Sequence, residues 1–269
     1  MSEKPTVYLP FRGEFGHRVM WHSRQVYTGQ EARKIACIEA GTEALYPGCE
    51  YEHVPSPPDV KRDHLLKTDK EFRQKIQQQM AQKYPGATFV EPDRHAELTH
   101  FEPAPHIPQT DLSPDLVVCP RWREHGRDRN WAHWRRLTES LVKHKFLVVA
   151  AGNRDCSMAV PCKRAWEFDR PLDATIEVMR RAPLVVATDS GLAHLAVMLG
   201  RPTLIITFRN RPGPKATWRV KWHRYRTGHP RAPRLLHSID NSWGNVEPVF
   251  KRVRSLYEEL KDEPVAASG

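Results

Sequence analysis

The sequence predicts an α/β protein whose two lobes are each built on a parallel β-sheet. Short apolar runs alternate with amphipathic segments along both halves of the 269-residue chain. Such alternation requires parallel strands joined by right-handed crossovers. A stretch rich in Pro, His and polar residues, 91–114, separates the halves and is interpreted as a linker. We therefore expect an N-terminal domain over 1–113 and a second domain over 114–244, followed by a terminal helix in 245–269.

The elements of the first half follow from its apolar spacing. Phe72, Ile76 and Met80 recur every four residues and predict a helix over 69–83. The predicted strands of this half are 6–9, 33–39, 49–54 and 88–90.

The second half repeats the pattern with longer apolar runs. Its predicted strands are 116–119, 146–150, 184–187 and 203–208, and its predicted helices are 131–145, 173–181, 192–199 and 245–261. Trp131 and Trp134 are expected to anchor the core. Val249, Val253, Leu256 and Leu260 give the terminal helix one apolar side.

The turn after the run 184–187 carries the strongest functional signal. Thr188-Asp189-Ser190-Gly191 combines turn and N-cap residues at the start of an apolar helix. Gly200 and Pro202 are expected to end that helix. Free amides at a helix start form an anion site, and a glycine there permits close approach. The turn is therefore predicted to hold a phosphate; the alternative is a βαβ unit whose Asp and Ser only cap the helix.

The residue pattern of this region also resembles that of a known protein family. Asp189-Ser190-Gly191, then His194 and the run Ala-x-x-Leu-Gly-x-Pro-Thr, is similar to the C-terminal signature of heptosyltransferase-like glycosyltransferases. The resemblance covers roughly residues 115–260. It implies the GT-B architecture, in which two Rossmann-like domains face a central cleft. It also implies that the terminal helix 245–261 packs back on the first domain, as a C-terminal helix often does in GT-B enzymes. It also implies that Asp189, Ser190, Gly191 and His194 contact the diphosphate of a nucleotide-sugar donor.

A second phosphate contact is expected after the strand 116–119. The resembled family places a phosphate-binding Lys or Arg in that loop, and Arg121, Arg123 or Arg129 could serve here. The spacing departs from the family pattern, so the choice among the three stays open. The alternative is a solvated surface loop.

The resemblance implies an inverting, metal-independent transfer with an acidic base after the first strand. Glu14 is the acid of that loop, between Gly13 and Gly16, where the family usually carries Asp. Other candidates are His17, His22 and Glu39. No His/Asp/Glu cluster has the spacing of metal ligands, so neither a metal nor a cofactor beyond the donor is expected. The carboxyl-end rule for parallel sheets brings the loops 10–16, 40–41, 120–130 and 188–191 to one cleft.

Charge is distributed unevenly between the halves. Residues 1–113 carry 14 Lys and Arg against 16 acids, whereas residues 114–269 carry 28 against 16. No acid lies between Asp189 and Asp240. Aromatic residues alternate with cations in this interval, which suits a polyanion with exposed bases. The predicted nucleic-acid contacts are Arg209, Arg211, Lys215, Arg219, Lys221, Trp222, Arg224 and Arg226. The alternatives are a solvated basic loop whose arginines help to bind the donor phosphates, and a surface that binds an acidic glycolipid.

Three functions remain open at this level. The preferred one is sugar transfer from a nucleotide-sugar to a hydroxylated base in DNA, as viruses do to shield genomes. The second is transfer to a free or lipid-linked saccharide, and the third is a non-catalytic nucleotide or nucleic-acid binding module. No apolar run reaches membrane-spanning length, no secretory signal is visible at the start, and the five cysteines lack CxxC spacing. A cytoplasmic location is therefore expected.

Overall fold

The computed structural model describes residues 4–11, 15, 18–55, 65–93, 103–123, 130–208, 235–241 and 245–262. The chain forms two compact units, Met1–His106 and Ile107–Gly269. Residues 107–113 therefore group with the second unit. The predicted α/β class with parallel sheets is confirmed in both units.

The first unit is built on a four-stranded sheet. Its strands are β1 (Thr6–Tyr8), β2 (Lys34–Ile38), β3 (Glu50–His53) and β4 (Thr88–Val90). All pairings are parallel, in the spatial order β3-β2-β1-β4. A π-helical turn, Arg18–His22, runs into helix α1 (Ser23–Thr28), and helix α2 (Leu65–Lys83) precedes β4. Ile76 and Met80 of α2 pack on Val7 and Ile35, as their spacing predicted.

The second unit is built on a six-stranded parallel sheet. Its strands are β5 (Leu116–Cys119), β6 (Val148–Ala150), β7 (Lys163–Arg164), β8 (Leu184–Thr188), β9 (Thr203–Phe208) and β10 (Leu236–Asn241). The spatial order is β10-β9-β8-β5-β6-β7. This is the doubly wound arrangement, in which the strand order reverses between β5 and β8.

Within the described residues of this unit, four helices accompany the sheet. They are α3 (Trp134–Lys143), α4 (Pro171–Arg181), α5 (Gly191–Met198) and α6 (Glu247–Leu260). Single 3₁₀ turns lie at Glu43–Leu45 in the first unit and at Arg154–Cys156 and Ala165–Glu167 in the second. Helix α3 begins three residues later than predicted, and Lys145, with φ of 69°, follows its end. Gly200 adopts φ of 68° beyond α5, which confirms its predicted role.

Trp131 and Trp134 anchor the core of the second unit, as predicted. They are 1% and 0% exposed and meet edge to face with ring centroids 5.2 Å apart. The apolar side of α6 lies in this same core through Val249, Val253 and Leu256. The sheet of its own unit thus covers the face expected to pack on the first domain, and contact of α6 with that domain stays a prediction.

The chain that enters the second unit is tied to helix α4. The buried carboxylate of Glu177 accepts hydrogen bonds from the amides of Gln109 and Thr110, each at 2.9 Å. Arg181 donates to the carbonyl of Thr110. The amide of Arg170 donates to the Gln109 side chain at 3.1 Å. Residues 109 and 110 of the predicted linker, which we call the strap, are therefore fixed to helix α4 by these hydrogen bonds.

Candidate functional site

The reversal of strand order in the second sheet defines the first candidate site. β5 and β8 are parallel neighbours, with Cys119 opposite Ala187 at their carboxyl ends. The chain leaves these two strands in opposite directions along the sheet, because the strand after β5 is β6, on one side, and the strand after β8 is β9, on the other. Ligands of open α/β sheets bind in the crevice that this divergence leaves. The segments that flank it are 120–123 and 188–191, both predicted from the sequence.

The turn after β8 presents polar groups at the start of helix α5. Ser190 is the N-cap residue, in an extended conformation with φ of −156°, but its hydroxyl makes no capping bond. Among the described residues, the buried hydroxyl oxygens of Thr188 and Ser190 both lack a hydrogen-bond partner. Ser190 thus occupies the predicted N-cap position, without the side-chain capping bond on which the alternative of a simple helix cap depends. Two hydroxyls and the first amides of a helix together suit an anion.

The other members of the signature differ in accessibility. Asp189, Ser190 and Gly191 are partly exposed, so that a ligand can reach the turn. His194 is only 5% exposed, at the end of the first turn of α5. Burial favours a role for His194 in fixing the turn, and its contact with a donor stays a prediction.

The side chain of Asn130 hydrogen-bonds to the residues that follow β5. Its side-chain oxygen accepts from the Arg121 guanidinium at 2.6 Å and from the Arg123 amide at 3.0 Å, and its amide group donates to the Arg123 carbonyl at 2.7 Å. Asn130 is thus fixed against residues 121 and 123, which follow β5 in the chain. Sequence reasoning missed this role, although an Asn just before a helix is a recognisable turn signal.

Residues 120–122, directly after β5, also form backbone hydrogen bonds with residues 156–158. The Trp122 amide donates to the Cys156 carbonyl at 2.8 Å, and the Met158 amide donates to the Pro120 carbonyl at 2.7 Å. Arg121 is 8% exposed, whereas the indole of Trp122 is 46% exposed. The Arg121 guanidinium is therefore pre-oriented at the reversal point, which lowers the entropic cost of binding an anion.

The first unit carries a buried polar cluster beyond the ends of β1 and β2. The Arg18 guanidinium donates to the Glu39 carboxylate at 2.5 Å and to the Phe11 carbonyl at 3.2 Å. The Arg18 and Glu39 side chains are 9% and 18% exposed. Glu39, a weaker candidate base, is thus ion-paired with Arg18.

His22, another candidate base, lies inside this cluster. It is 1% exposed, stacks on the Phe11 ring and shares a 2.8 Å hydrogen bond with the Tyr46 hydroxyl. Burial, with a smaller effect of the nearby Arg18 charge, lowers the His22 pKa to about 3. A neutral, enclosed imidazole of this kind is a structural group and a poor acceptor of a substrate proton.

The His22 environment predicts an acid-sensitive first unit. The unfolded chain protonates His22 below pH 6.5, whereas the folded chain does so only near pH 3. The free energy of unfolding should therefore fall by about 2 kcal/mol between pH 7 and pH 5 through this residue alone. Urea unfolding of the wild type and His22→Gln should show a weaker pH dependence in the variant. His144→Gln, at an exposed position, is the control; an unchanged slope for His22→Gln would contradict the assignment.

Several predicted site residues lie outside the described residues. They are Glu14, His17, Arg129, Arg209, Arg211, Lys215, Arg219, Lys221, Trp222, Arg224 and Arg226. Within the described residues, no group of three or more His, Cys, Asp or Glu side chains is placed to hold a metal ion. None of the helices in the described part of the chain combines the length and hydrophobicity of a membrane span.

Known proteins resemble this chain in sequence pattern and in fold. A family model described as glycosyltransferase family 9 (heptosyltransferase) matches residues 49–221. No curated protein matches the chain. A family 9 glycosyltransferase from Veillonella parvula superposes with a TM-score of 0.53 at 13% identity, over 95% of this chain and 97% of that one.

Two Escherichia coli proteins are also similar in structure. The ADP-heptose LPS heptosyltransferase II has a TM-score of 0.52 at 14% identity, over 95% of this chain and 99% of its own. The iron-containing dodecameric glycosyltransferase TibC has a TM-score of 0.47 at 12% identity, over 77% of this chain. The present chain spans 59% of the length of TibC.

These findings confirm the resemblance inferred from residues 189–203, together with the two Rossmann-like parallel-sheet units that it implied. The matched segment includes β5, β8, the turn 188–191 and helix α5, and it is more than half of the chain. The chain therefore belongs to glycosyltransferase family 9, the heptosyltransferase family.

Proposed function

We propose that this protein transfers a sugar from a nucleotide-sugar donor, a nucleoside diphosphate linked to a sugar, to a hydroxyl group of a saccharide. The observation that carries the proposal is the pair of buried, unpartnered hydroxyls of Thr188 and Ser190 at the start of α5. Buried polar groups without partners are costly, and a bound diphosphate would satisfy both. Helix amides and dipole add to the attraction for its negative charge.

Charge neutralisation at the leaving group is the chemistry that this site supplies. Sugar transfer leaves a nucleoside diphosphate, whose developing charge needs fixed donors in the transition state. Arg121 is pre-oriented by Asn130 beside the turn at the strand reversal, and Arg123 and Arg129 flank it in sequence. Glu14, after β1, is the proposed base that takes the acceptor proton during an inverting transfer without metal.

The donor is proposed from the similar structures. The E. coli relative is named for ADP-heptose and lipopolysaccharide. An ADP-sugar donor and a saccharide acceptor are therefore the first substrates to test. Family membership favours this reading over the non-catalytic binding module.

Donor binding tests the proposal directly. Isothermal calorimetry with ADP should show saturable binding, and Ser190→Ala should raise the Kd about 10- to 100-fold, because hydrogen bonds to charged groups contribute about 1.5–3 kcal/mol. Ser255→Ala, at an exposed position of α6, should leave the Kd unchanged. A wild-type protein that binds neither ADP nor other nucleoside diphosphates would contradict the proposed function.

Transfer to a hydroxylated base in DNA is the second candidate. The run of cations and aromatic residues from Arg201 to Arg234, with no acid, supports it. The two acceptors differ in salt dependence. DNA binding should weaken steeply as salt rises from 50 to 200 mM, roughly 10³-fold for six phosphate contacts, whereas saccharide binding should change little. Mass analysis of hydroxylated duplex DNA incubated with protein and ADP-sugar would detect the transferred sugar.

A further inference from the structure

Trp122 differs in exposure from the core tryptophans of the second unit. Trp131 and Trp134 are buried, whereas Trp122, three residues beyond the end of β5, is 46% exposed. We propose that the Trp122 indole is the surface on which the base of the nucleotide donor stacks. The inference rests on the proposed function, in which the turn 188–191 and Arg121 bind the diphosphate of that donor.

The backbone that carries this indole is held on both sides, although the side chain is exposed. Residues 120–122 are joined to residues 156–158 by two backbone hydrogen bonds of 2.7 and 2.8 Å. The next residue, Arg123, is bonded through its amide and its carbonyl to the Asn130 side chain, at 3.0 and 2.7 Å. A tryptophan has only two rotatable side-chain bonds, so on a fixed backbone it loses little conformational entropy when a ligand binds. The segment is therefore suited to present a rigid aromatic surface.

Trp122 lies beside the proposed diphosphate site, on the side of β6. The turn 188–191 follows β8, Trp122 follows the neighbouring strand β5, and the Trp122 amide is bonded to the segment that follows β6, the next strand along. The turn and the backbone of Trp122 are therefore separated by one to two strand spacings, roughly 5–10 Å. A single ribose joins the phosphates of a nucleotide to its base, so one ligand can occupy both positions.

The nucleoside is the part of the donor that suits this position. In the proposed transfer the sugar passes to the acceptor, whereas the nucleoside diphosphate stays with the unit that holds its phosphates. An indole offers a base its π-face, and base–aromatic stacking is favourable for every base because all of them have such a face. Trp122 therefore supplies affinity for the nucleoside, while the turn and Arg121 supply affinity for its phosphates.

Calorimetry with two ligands separates these contributions. Trp122→Ala should raise the Kd of ADP about 5- to 150-fold, the range expected for the loss of one stacked base. The Kd of inorganic pyrophosphate, which has no base, should stay within about twofold of wild type. Trp122→Phe should retain most of the affinity for ADP, because a phenyl ring still stacks. Tyr27→Ala removes a similarly exposed aromatic ring from the first unit and should leave both constants unchanged.

Two calorimetric results would overturn the inference. One is an unchanged Kd of ADP in Trp122→Ala. The other is an equal loss of affinity for ADP and pyrophosphate in that variant, since the indole would then only support the phosphate site. Ser190→Ala, by contrast, should weaken the binding of both ligands. A wild-type protein that binds neither ligand would contradict the proposed function itself, and the inference with it.

Fluorescence measures the stacking contact itself. A base stacked on an indole quenches its emission, so ADP should lower the tryptophan emission of the wild type, whereas pyrophosphate should leave it unchanged. In Trp122→Phe most of the change caused by ADP should disappear. A change of wild-type size in this variant would mean that the base lies against another tryptophan, and would overturn the inference.

Discussion

Glu14→Gln is expected to lower kcat for sugar transfer about 10²- to 10⁴-fold, because a positioned general base contributes rate enhancement of that size. Glutamine preserves the size and hydrogen-bonding reach of the side chain but does not accept the acceptor's proton. The Kd of ADP should remain at its wild-type value, since the proposed diphosphate site lies in the second unit. Steady-state kinetics with ADP-heptose, together with calorimetry on ADP, provides both measurements.

The control for this variant is Glu71→Gln, which makes the same chemical change at an exposed position on α2. It should retain full turnover. If Glu14→Gln also retains turnover, another group is the base. If neither the wild type nor the variant turns over any nucleotide-sugar although ADP binds, the non-catalytic alternative is favoured.

Trp134→Ala is expected to produce the largest loss of stability in the second unit. The side chain is fully buried, contacts Trp131 edge to face and lies in the core that α6 shares. Truncation of a buried aromatic residue leaves a cavity and costs about 3–5 kcal/mol. That loss is a large fraction of the free energy of unfolding of a typical domain, about 5–15 kcal/mol. Urea unfolding followed by circular dichroism should show an earlier transition for the variant.

Val142→Ala is the comparison for the tryptophan variant. Val142 lies on the same helix, α3, but is 42% exposed. Its truncation should change the free energy of unfolding by no more than about 0.5 kcal/mol. Equal effects of the two substitutions would mean that burial of Trp134 contributes little, and would contradict this account of the core.

The sheets and the switch-point turn could be predicted because local sequence determines them. The run at β5 is apolar on both faces, β9 contains the apolar run 204–206, and Gly200 and Pro202 mark the end of α5. By contrast, β10 has polar residues at His237 and Ser238 and follows a long basic stretch, so its sequence lacks the apolar run that identified the other strands. β7 has only two residues and depends on pairing with β6.

The side-chain contacts of the site were not predictable from the sequence. Arg18 and Glu39 are 21 residues apart, and nothing in their spacing indicates that they meet. The helix at Ser23–Thr28 lacks a regular apolar stripe, because Ser23 and Arg24 are buried in it beside Val26. Tertiary contacts decide these positions, and they decide whether a predicted acid such as Glu39 is available for chemistry.

The strap on helix α4 determines where the chain can be cut if the second unit is to be produced as a separate fragment. A fragment that started at residue 114, the boundary expected from composition, would lack the two backbone amides that donate hydrogen bonds to the Glu177 carboxylate. The Glu177 carboxylate would thus lose two of its hydrogen-bond donors, and helix α4 would lose its link to the preceding chain. The boundary between the units therefore lies upstream of Gln109, and these residues of the apparent connector belong to the second unit through their hydrogen bonds to helix α4.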